Sequence, residues 1–206
     1  MKDRERDEAF MKMALAEAMK AGREGEVPVG AVLTKGDRVL ARDHNRCIQR
    51  NDPTAHAEIL VLRKSGKILK NYRLKDTVLY VTVEPCPMCA SAMVHSRISR
   101  LVFGAHEPKF GAVESRFNLL AGEGVNHRIE VKGGVLEEGC ADVLRRFFRE
   151  KRKRSVVRQE GKAVGRRQKI VERYRSGHNG ADSKSAVRLT ADRGFESHPL
   201  RHRLKK

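Results

Sequence analysis

The sequence has no long apolar run. Its most hydrophobic stretches, such as Thr77–Val83, fall far short of the ~20 residues a helix needs to cross a bilayer, so a membrane-spanning helix is excluded. Residues 2–8 are all charged and lead into no apolar segment, so no secretory signal is read there and a cytoplasmic location is expected. Cysteine is scarce: Cys47, Cys86, Cys89 and Cys140 among 206 residues, which argues against a disulfide framework. No internal repeat is evident. Acidic residues run short toward the C-terminus, where residues 151–206 hold 18 of the 44 Lys and Arg but 5 of the 26 Asp and Glu. That segment carries +13 of the net +18 and leaves +5 for the first 150 residues. The body is only mildly basic, which favours a polyanionic partner without proving one.

Hydrophobic residues at 39% and charged residues at 34% suit one domain with a real core and a polar remainder. Phe10, Met11, Ala14, Leu15, Ala18 and Met19 recur at helical spacing, with Gly22 as a stop, and predict a helix over residues 3–21. Val29–Thr34 and Val39–Asp43 read as a hairpin around Lys35-Gly36-Asp37. Asp52-Pro53-Thr54 signals entry to a helix over 55–65, and Thr77–Val83 is a strand of the buried, β-branched kind. A helix is expected over 85–96, strands over 98–103 and 128–132, and a closing helix from Glu137 to about Arg152 that buries Cys140, Val143, Leu144, Phe147 and Phe148. Helices alternating with strands after an opening hairpin indicate an α/β layered domain with a mixed sheet. Beyond about Arg154 the periodicity stops, and a basic disordered tail is expected, dividing the chain into residues 1–153 and 154–206.

Two segments carry chemistry: His56-Ala57-Glu58 and Pro85-Cys86-Pro87-Met88-Cys89, each at the start of an expected helix. Cys86 and Cys89 stand three apart, so in a first helical turn both sulfurs can face one ion. With His56 they make three zinc ligands, leaving a tetrahedral position for water, the open arrangement of a catalytic site. Two thiolates and a neutral imidazole cancel the charge of the dication, and Glu58 at the helix entrance can reach the same water as a proton shuttle. A C-x-x-C by itself also suits a structural zinc half-site or a redox pair. A four-ligand structural site would have to recruit Cys47 or Cys140, neither of which has a partner at finger spacing. It is the conjunction of the two segments, in this order and context, that points to a zinc deaminase.

With these motifs in place, the sequence resembles the bacterial tRNA-specific adenosine deaminases of the cytidine deaminase-like superfamily, from the first helix to about Arg152. The flanking blocks that carry the resemblance are 27–32, 52–58, Asn71-Tyr72-Arg73-Leu74, 79–89, 102–105 and Asn126-His127. The resemblance implies a three-layer α/β/α fold on a mixed five-stranded sheet, one Zn²⁺ per subunit, no organic cofactor, and a homodimer. It implies that the wobble adenosine of an arginine tRNA anticodon stem-loop is the substrate. Activated water would attack C6 of the flipped-out adenine, with Glu58 moving protons. It further implies that His56, Cys86 and Cys89 bind the metal, that Asn45 contacts the nucleoside, and that Pro28 and Val29 line the base pocket. Asn126 would lie near the RNA, and Phe148 and Arg149, with Phe147 beside them, would end a helix touching the anticodon loop. Glu107 stands where the family has an aspartate facing the substrate backbone, and Cys47 replaces a common proline. One phenylalanine of the Phe147-Phe148 pair is expected in the core and the other toward RNA, as adjacent helical positions differ by about 100°.

Two rival functions remain open on the sequence: a deaminase of a free base or pteridine-like ring, and an RNA-binding protein that keeps zinc only as a staple. The tail has two readings as well. Gly194-Phe195-Glu196-Ser197 can be encoded by GGN-TTC-GAA-TCC, a string typical of the T-arm of a tRNA gene. The frame can therefore have run into an adjacent tRNA gene. Alternatively, the tail is a basic arm that adds non-specific RNA affinity.

Overall fold

The computed structural model describes residues 3–121 and 125–175. In chain order the elements are α1 (Asp3–Arg23), β1 (Gly30–Lys35), β2 (Arg38–His44), α2 (Cys47–Arg50), α3 (Ala57–Leu69), β3 (Thr77–Val83), α4 (Pro87–Ser96), β4 (Arg100–Ala105), β5 (Glu130–Lys132) and α5 (Glu137–Arg175). The strands form a five-stranded sheet in the order β2-β1-β3-β4-β5. β1 pairs antiparallel with β2 and β3, while β3–β4 and β4–β5 are parallel. The sheet is mixed, as the alternation of helices and strands after an opening hairpin leads one to expect.

Both faces of the sheet are covered, which explains why β3 reads as a nearly continuous apolar run. Alternate residues feed two cores. Leu33, Leu79, Val81, Leu101 and Phe103 pack with Ile59, Val61 and Met93 from α3 and α4. Val32, Tyr80 and Val102 pack with Phe10, Met11 and Ala14 of α1 and Cys140 of α5. The result is a three-layer α/β/α domain. α1 lies so close to β1 that a Cβ on Gly30 would run into the Ala14 carbonyl.

One ionic cluster sits inside the α1 layer. The Asp7 side chain is fully buried and accepts two parallel hydrogen bonds from Arg100, 2.8 and 3.0 Å, and one from Lys132 at 2.7 Å. The Tyr80 hydroxyl donates to the same carboxylate at 3.2 Å. Burial opposes ionisation of Asp7, but Arg100 and Lys132 outweigh it and hold its pKa below the usual carboxylate value. Tyr80 is pushed up to about 12 by burial and by the Asp7 charge. The cluster clamps α1 to β3, β4 and β5.

Two elements depart from expectation. The short helix α2 has no apolar period to announce it. It forms because the buried Glu26 carboxylate accepts the Ile48 and Gln49 amides at 3.2 and 2.7 Å, a partner more than twenty residues away in sequence. α5 runs on to Arg175, where disorder was expected from residue 154. Residues 153–175 contain no proline and are rich in Lys, Arg, Gln and Glu, so helix can form there without the apolar stripe on which the sequence reading relies. The remainder of the expected tail, residues 176–206, lies outside the described residues. The chain divides into two units, Met1–Ser155 and Val156–Lys206. On the first stretch of α5, Cys140 is buried, but Val143, Leu144 and Phe147 are only half-buried and Phe148 is exposed. The core-burying face is therefore shorter than expected.

Candidate active site

The C-terminal ends of β3 and β4 meet the N-termini of α3 and α4, and there the two sequence motifs come together. His56 is the residue that precedes α3 and Cys86 the residue that precedes α4. Both have extended backbone, and neither side chain caps its own helix. The first amide of α3, that of Ala57, is satisfied instead by Asn45 Oδ1 at 2.8 Å. His56 is thereby free to point into the site, and the polar atom Asn45 has left to offer a ligand is its amide nitrogen.

His56 Nδ1 lies 3.8 Å from Cys86 Sγ and 3.6 Å from Cys89 Sγ, and the three potential ligand atoms fall within 4.8 Å of one another. Zinc bonds of about 2.0–2.1 Å to nitrogen and about 2.3 Å to sulfur, meeting near the tetrahedral angle, require N···S separations of about 3.6 Å. The triad fits such an ion without rearrangement. The three groups are also strongly coupled electrostatically. The Cys86 pKa is lowered to about 4, first by the Cys89 thiol and then, against burial, by the His56 ring, while the same pairing pushes Cys89 up. His56 is raised, chiefly by Cys86. Two helix N-termini converge on this cluster and favour negative charge there.

Glu58, in the first turn of α3, is buried at 3% exposure, and its Oε2 has no hydrogen-bond partner. A buried carboxylate oxygen left unpaired costs free energy that a folded protein seldom leaves uncompensated. Burial raises the Glu58 pKa, the direction required of a group that must both take and give a proton. The oxygen therefore reads as a place kept for a ligand or a water.

These groups line a pocket of about 290 Å³, at the lower edge of the ~300–1,000 Å³ typical of ligand sites. Its apolar wall includes Val27, Val29, Ile48 and Val83, and its polar lining includes Asn45, Cys47, Glu26, Glu84 and Glu107. With Glu58, four carboxylates line it, and no Lys or Arg does. Any phosphate of a bound substrate must therefore be held outside. A larger cavity of about 690 Å³ lies between α3 and α4, away from the triad.

The residues singled out from sequence divide accordingly. His56, Glu58, Cys86, Val29, Asn45 and Glu107 line the pocket, and the buried Cys89 joins His56 and Cys86 in the triad without lining it. Pro28 is buried but is not among the lining residues; Val27 and Val29 flank it there instead. Backbone direction explains this, because alternate residues of the segment entering β1 face opposite ways. Asn126 is not at the pocket: its carbonyl accepts a bond from Arg97, the residue that ends α4, at the end remote from Cys86. Phe148 and Arg149 are exposed on α5, with Phe148 edge-on to Phe147 at 5.4 Å, and neither lines the pocket. Glu26 and Glu84 escape a sequence reading. Both are buried carboxylates whose partners are backbone amides brought up by the fold, and no spacing rule marks them.

Comparison with known proteins agrees with this geometry. The model of the MafB19-like deaminase family matches residues 5–152. The tRNA-specific adenosine deaminase of Bacillus subtilis (strain 168) is 50% identical over 148 residues, spanning 72% of this chain and 92% of its own. The enzyme of the same name from Haemophilus influenzae is 49% identical over 152 residues, 73% of this chain and 88% of its own. A solved tRNA:A34 deaminase, described in terms of A-to-I editing at the wobble position of transfer RNA, superimposes with a TM-score of 0.65 at 47% identity, covering 66% of this chain and 99% of its own. A guanine deaminase from Nitrosomonas europaea shares the fold at a TM-score of 0.60 and 25% identity, over 68% of this chain and 83% of its own. By its motif, its pocket and its relatives, the chain belongs to the MafB19-like deaminase family, among relatives that are tRNA-specific adenosine deaminases.

Proposed function

We propose that the protein hydrolyses adenosine to inosine at the wobble position of a tRNA anticodon, with an arginine tRNA as its substrate and one Zn²⁺ per subunit held by His56, Cys86 and Cys89. The observation that carries this reading is the buried, unpartnered Glu58 oxygen beside a ligand triad of zinc dimensions, in a chain half identical to tRNA-specific adenosine deaminases. A zinc ion in the triad supplies Lewis-acid activation of water near neutral pH. Glu58 accepts the proton of the attacking water at its carboxylate and passes it to the base nitrogen. A second transfer goes to the departing amine, so that water and adenosine give inosine and ammonia. Val27 and Val29 offer apolar wall against a flat base, the Asn45 amide faces the nucleoside, and Glu107 faces the substrate backbone at the pocket's edge. A pocket of this size takes the base flipped out of its stack, while the rest of the anticodon loop stays outside with the phosphates. Phe148 and Arg149 on α5 supply stacking area and positive charge for it.

We assign the apolar groove between α3 and α4, lined by Ile59, Leu62, Tyr72 and Ala92, as the face a second copy covers in a homodimer. Among the described residues no helix is long and apolar enough to cross a membrane, and we place the enzyme with its tRNA in the cytoplasm.

The test is mass spectrometry after incubating the zinc-loaded protein with an arginine anticodon stem-loop, with free adenosine and with guanine. Inosine should appear in the stem-loop alone. Turnover of a free base without turnover of the stem-loop overturns the substrate assignment. Metal analysis should find about one zinc per chain, absent after Cys86→Ser. Full zinc in that variant removes Cys86 from the ligand set.

A further inference from the structure

Glu84 ends the run that carries β3 toward Cys86 and lies at 3% exposure in the pocket wall. Its carboxylate is saturated. Oε1 accepts the amides of Val113, Glu114 and Ser115 at 3.1, 2.7 and 2.9 Å. Oε2 accepts the amide of Glu107 at 3.0 Å and the Ser115 hydroxyl. Its own amide donates to Ala105 at 2.8 Å, and the adjacent Pro85 carbonyl accepts the Ala112 amide at 2.8 Å. Every one of these partners belongs to the end of β4 or to the segment leaving it, which delivers Glu107 to the pocket. Gly111 completes the arrangement, since a Cβ there would collide with the Glu84 carboxylate and the Glu107 carbonyl. The Glu107 side chain is steadied in turn by the Lys109 amide, 3.0 Å from Oε1.

We propose that Glu84 is a positioning residue for the deamination. It ties the 107–115 loop down against the metal-binding segment and so fixes where Glu107 meets the substrate. This rests on the proposed deaminase function. Glu84 takes no part in proton transfer, because both its oxygens are already occupied as acceptors, whereas the free oxygen of the site is that of Glu58.

The test is Glu84→Gln, which keeps shape but turns an N–H pair toward backbone donors. The expected result is a KM for the anticodon stem-loop raised about tenfold or more, with kcat much less affected. Amides of residues 107–115 should exchange faster with deuterium while those of β3 and β4 keep their protection. Glu107→Ala should raise KM as well, and the double variant should add little to either, because both act through one loop. Ser115→Ala removes one bond to Glu84 and serves if Glu84→Gln does not fold: it should move KM in the same direction by a smaller factor. The exchange readout needs no turnover, so failure of the substrate assignment leaves this test intact. An unchanged KM with unchanged loop exchange overturns the proposal. So does general loss of protection across the domain at constant KM, which is what a merely structural role produces.

Discussion

Asp7 and Glu58 are both buried carboxylates in the same small domain, on opposite faces of one sheet, and their surroundings differ completely. Asp7 has both oxygens paired, with Arg100, Lys132 and the Tyr80 hydroxyl around it. Glu58 has an oxygen with no partner at all. The first arrangement satisfies a charge in order to hold elements together. The second leaves a polar atom unsatisfied at a cost in stability, which is the signature of a site kept ready for something else. Glu84 stands between them, as saturated as Asp7 but placed on the catalytic side, where the elements it joins are the walls of the pocket.

The sharpest test of this contrast is Glu58→Gln. It should lower kcat by about 10²–10⁴-fold, the usual share of a general acid–base group, while thermal stability stays level or rises and zinc is retained. A variant within about tenfold of the parent kcat would make Glu58 a second Asp7. The complementary change, Asp7→Ala, takes a buried anion from the partly buried Arg100 and the more exposed Lys132. Unfolding in urea should show a loss of about 3–5 kcal/mol, with kcat per folded molecule unchanged. Collapse of kcat at constant stability would erase the distinction.

A weaker case lies on the rim. His106 donates to Glu137 at 2.8 Å and to Glu114 at 3.2 Å, joining the loop that carries Glu107 to the start of α5. Glu137 first, and Glu114 after the opposing effect of partial burial, raise its pKa above the ordinary histidine value. A raised folded-state pKa means that the folded state binds the proton more tightly. The contribution is therefore complete below the unfolded value, about 6.5, and disappears as pH rises through the folded one. Both pairs are exposed, so the loss should stay below about 1 kcal/mol. Comparing His106→Gln with the parent from pH 5.5 to 8.5 should show a stability gap that closes with rising pH. A gap that widens reverses the assignment.

The same contrast explains what can be read from the sequence. The grouping of His56, Cys86 and Cys89 with Glu58 nearby is legible because a set of side chains that could hold a metal needs fixed residue types at the entrances of two helices, and local spacing supplies both. The strands are legible because each buries alternate residues on two faces. Glu84 and Glu26 are not, since a carboxylate that caps backbone amides from distant segments leaves no pattern near itself. Pro28 is expected one residue away from the true lining because a resemblance gives the segment, while the alternation of side chains around β1 decides which of its members faces the pocket. Periodicity alone puts both Phe147 and Phe148 in the core, whereas the resemblance turns Phe148 outward; Phe148 is exposed because α5 offers the body a narrower face than its apolar content suggests. The continuation of α5 past residue 154 escapes because helix propensity leaves no apolar period in the sequence to mark it.

The smallest effect on catalysis is expected in the C-terminal segment. The family match ends at residue 152, and 148 aligned residues, 72% of this chain, cover 92% of the Bacillus subtilis relative. Residues 153–175 hold nine basic residues against two acidic ones, and the side chains that build the pocket all lie before residue 108. A chain ending at Arg154 should keep kcat within about twofold, as expected for removal of parts that touch nothing in the transition state. Its RNA binding should weaken and depend less steeply on salt, because every phosphate no longer neutralised takes roughly 0.7–0.9 off the slope. If kcat collapses instead, the segment helps to build the site and the division at residue 154 has no functional meaning. The genetic reading makes a separate prediction. If the frame runs into a tRNA gene, the nucleotides after codon 154 fold as a cloverleaf with the T-arm string at Gly194–Ser197. In that case the basic charge is a by-product of the code, and the loss of affinity on truncation should be equal for cognate and non-cognate stem-loops. A loss confined to the cognate one would show that the arm reads its RNA.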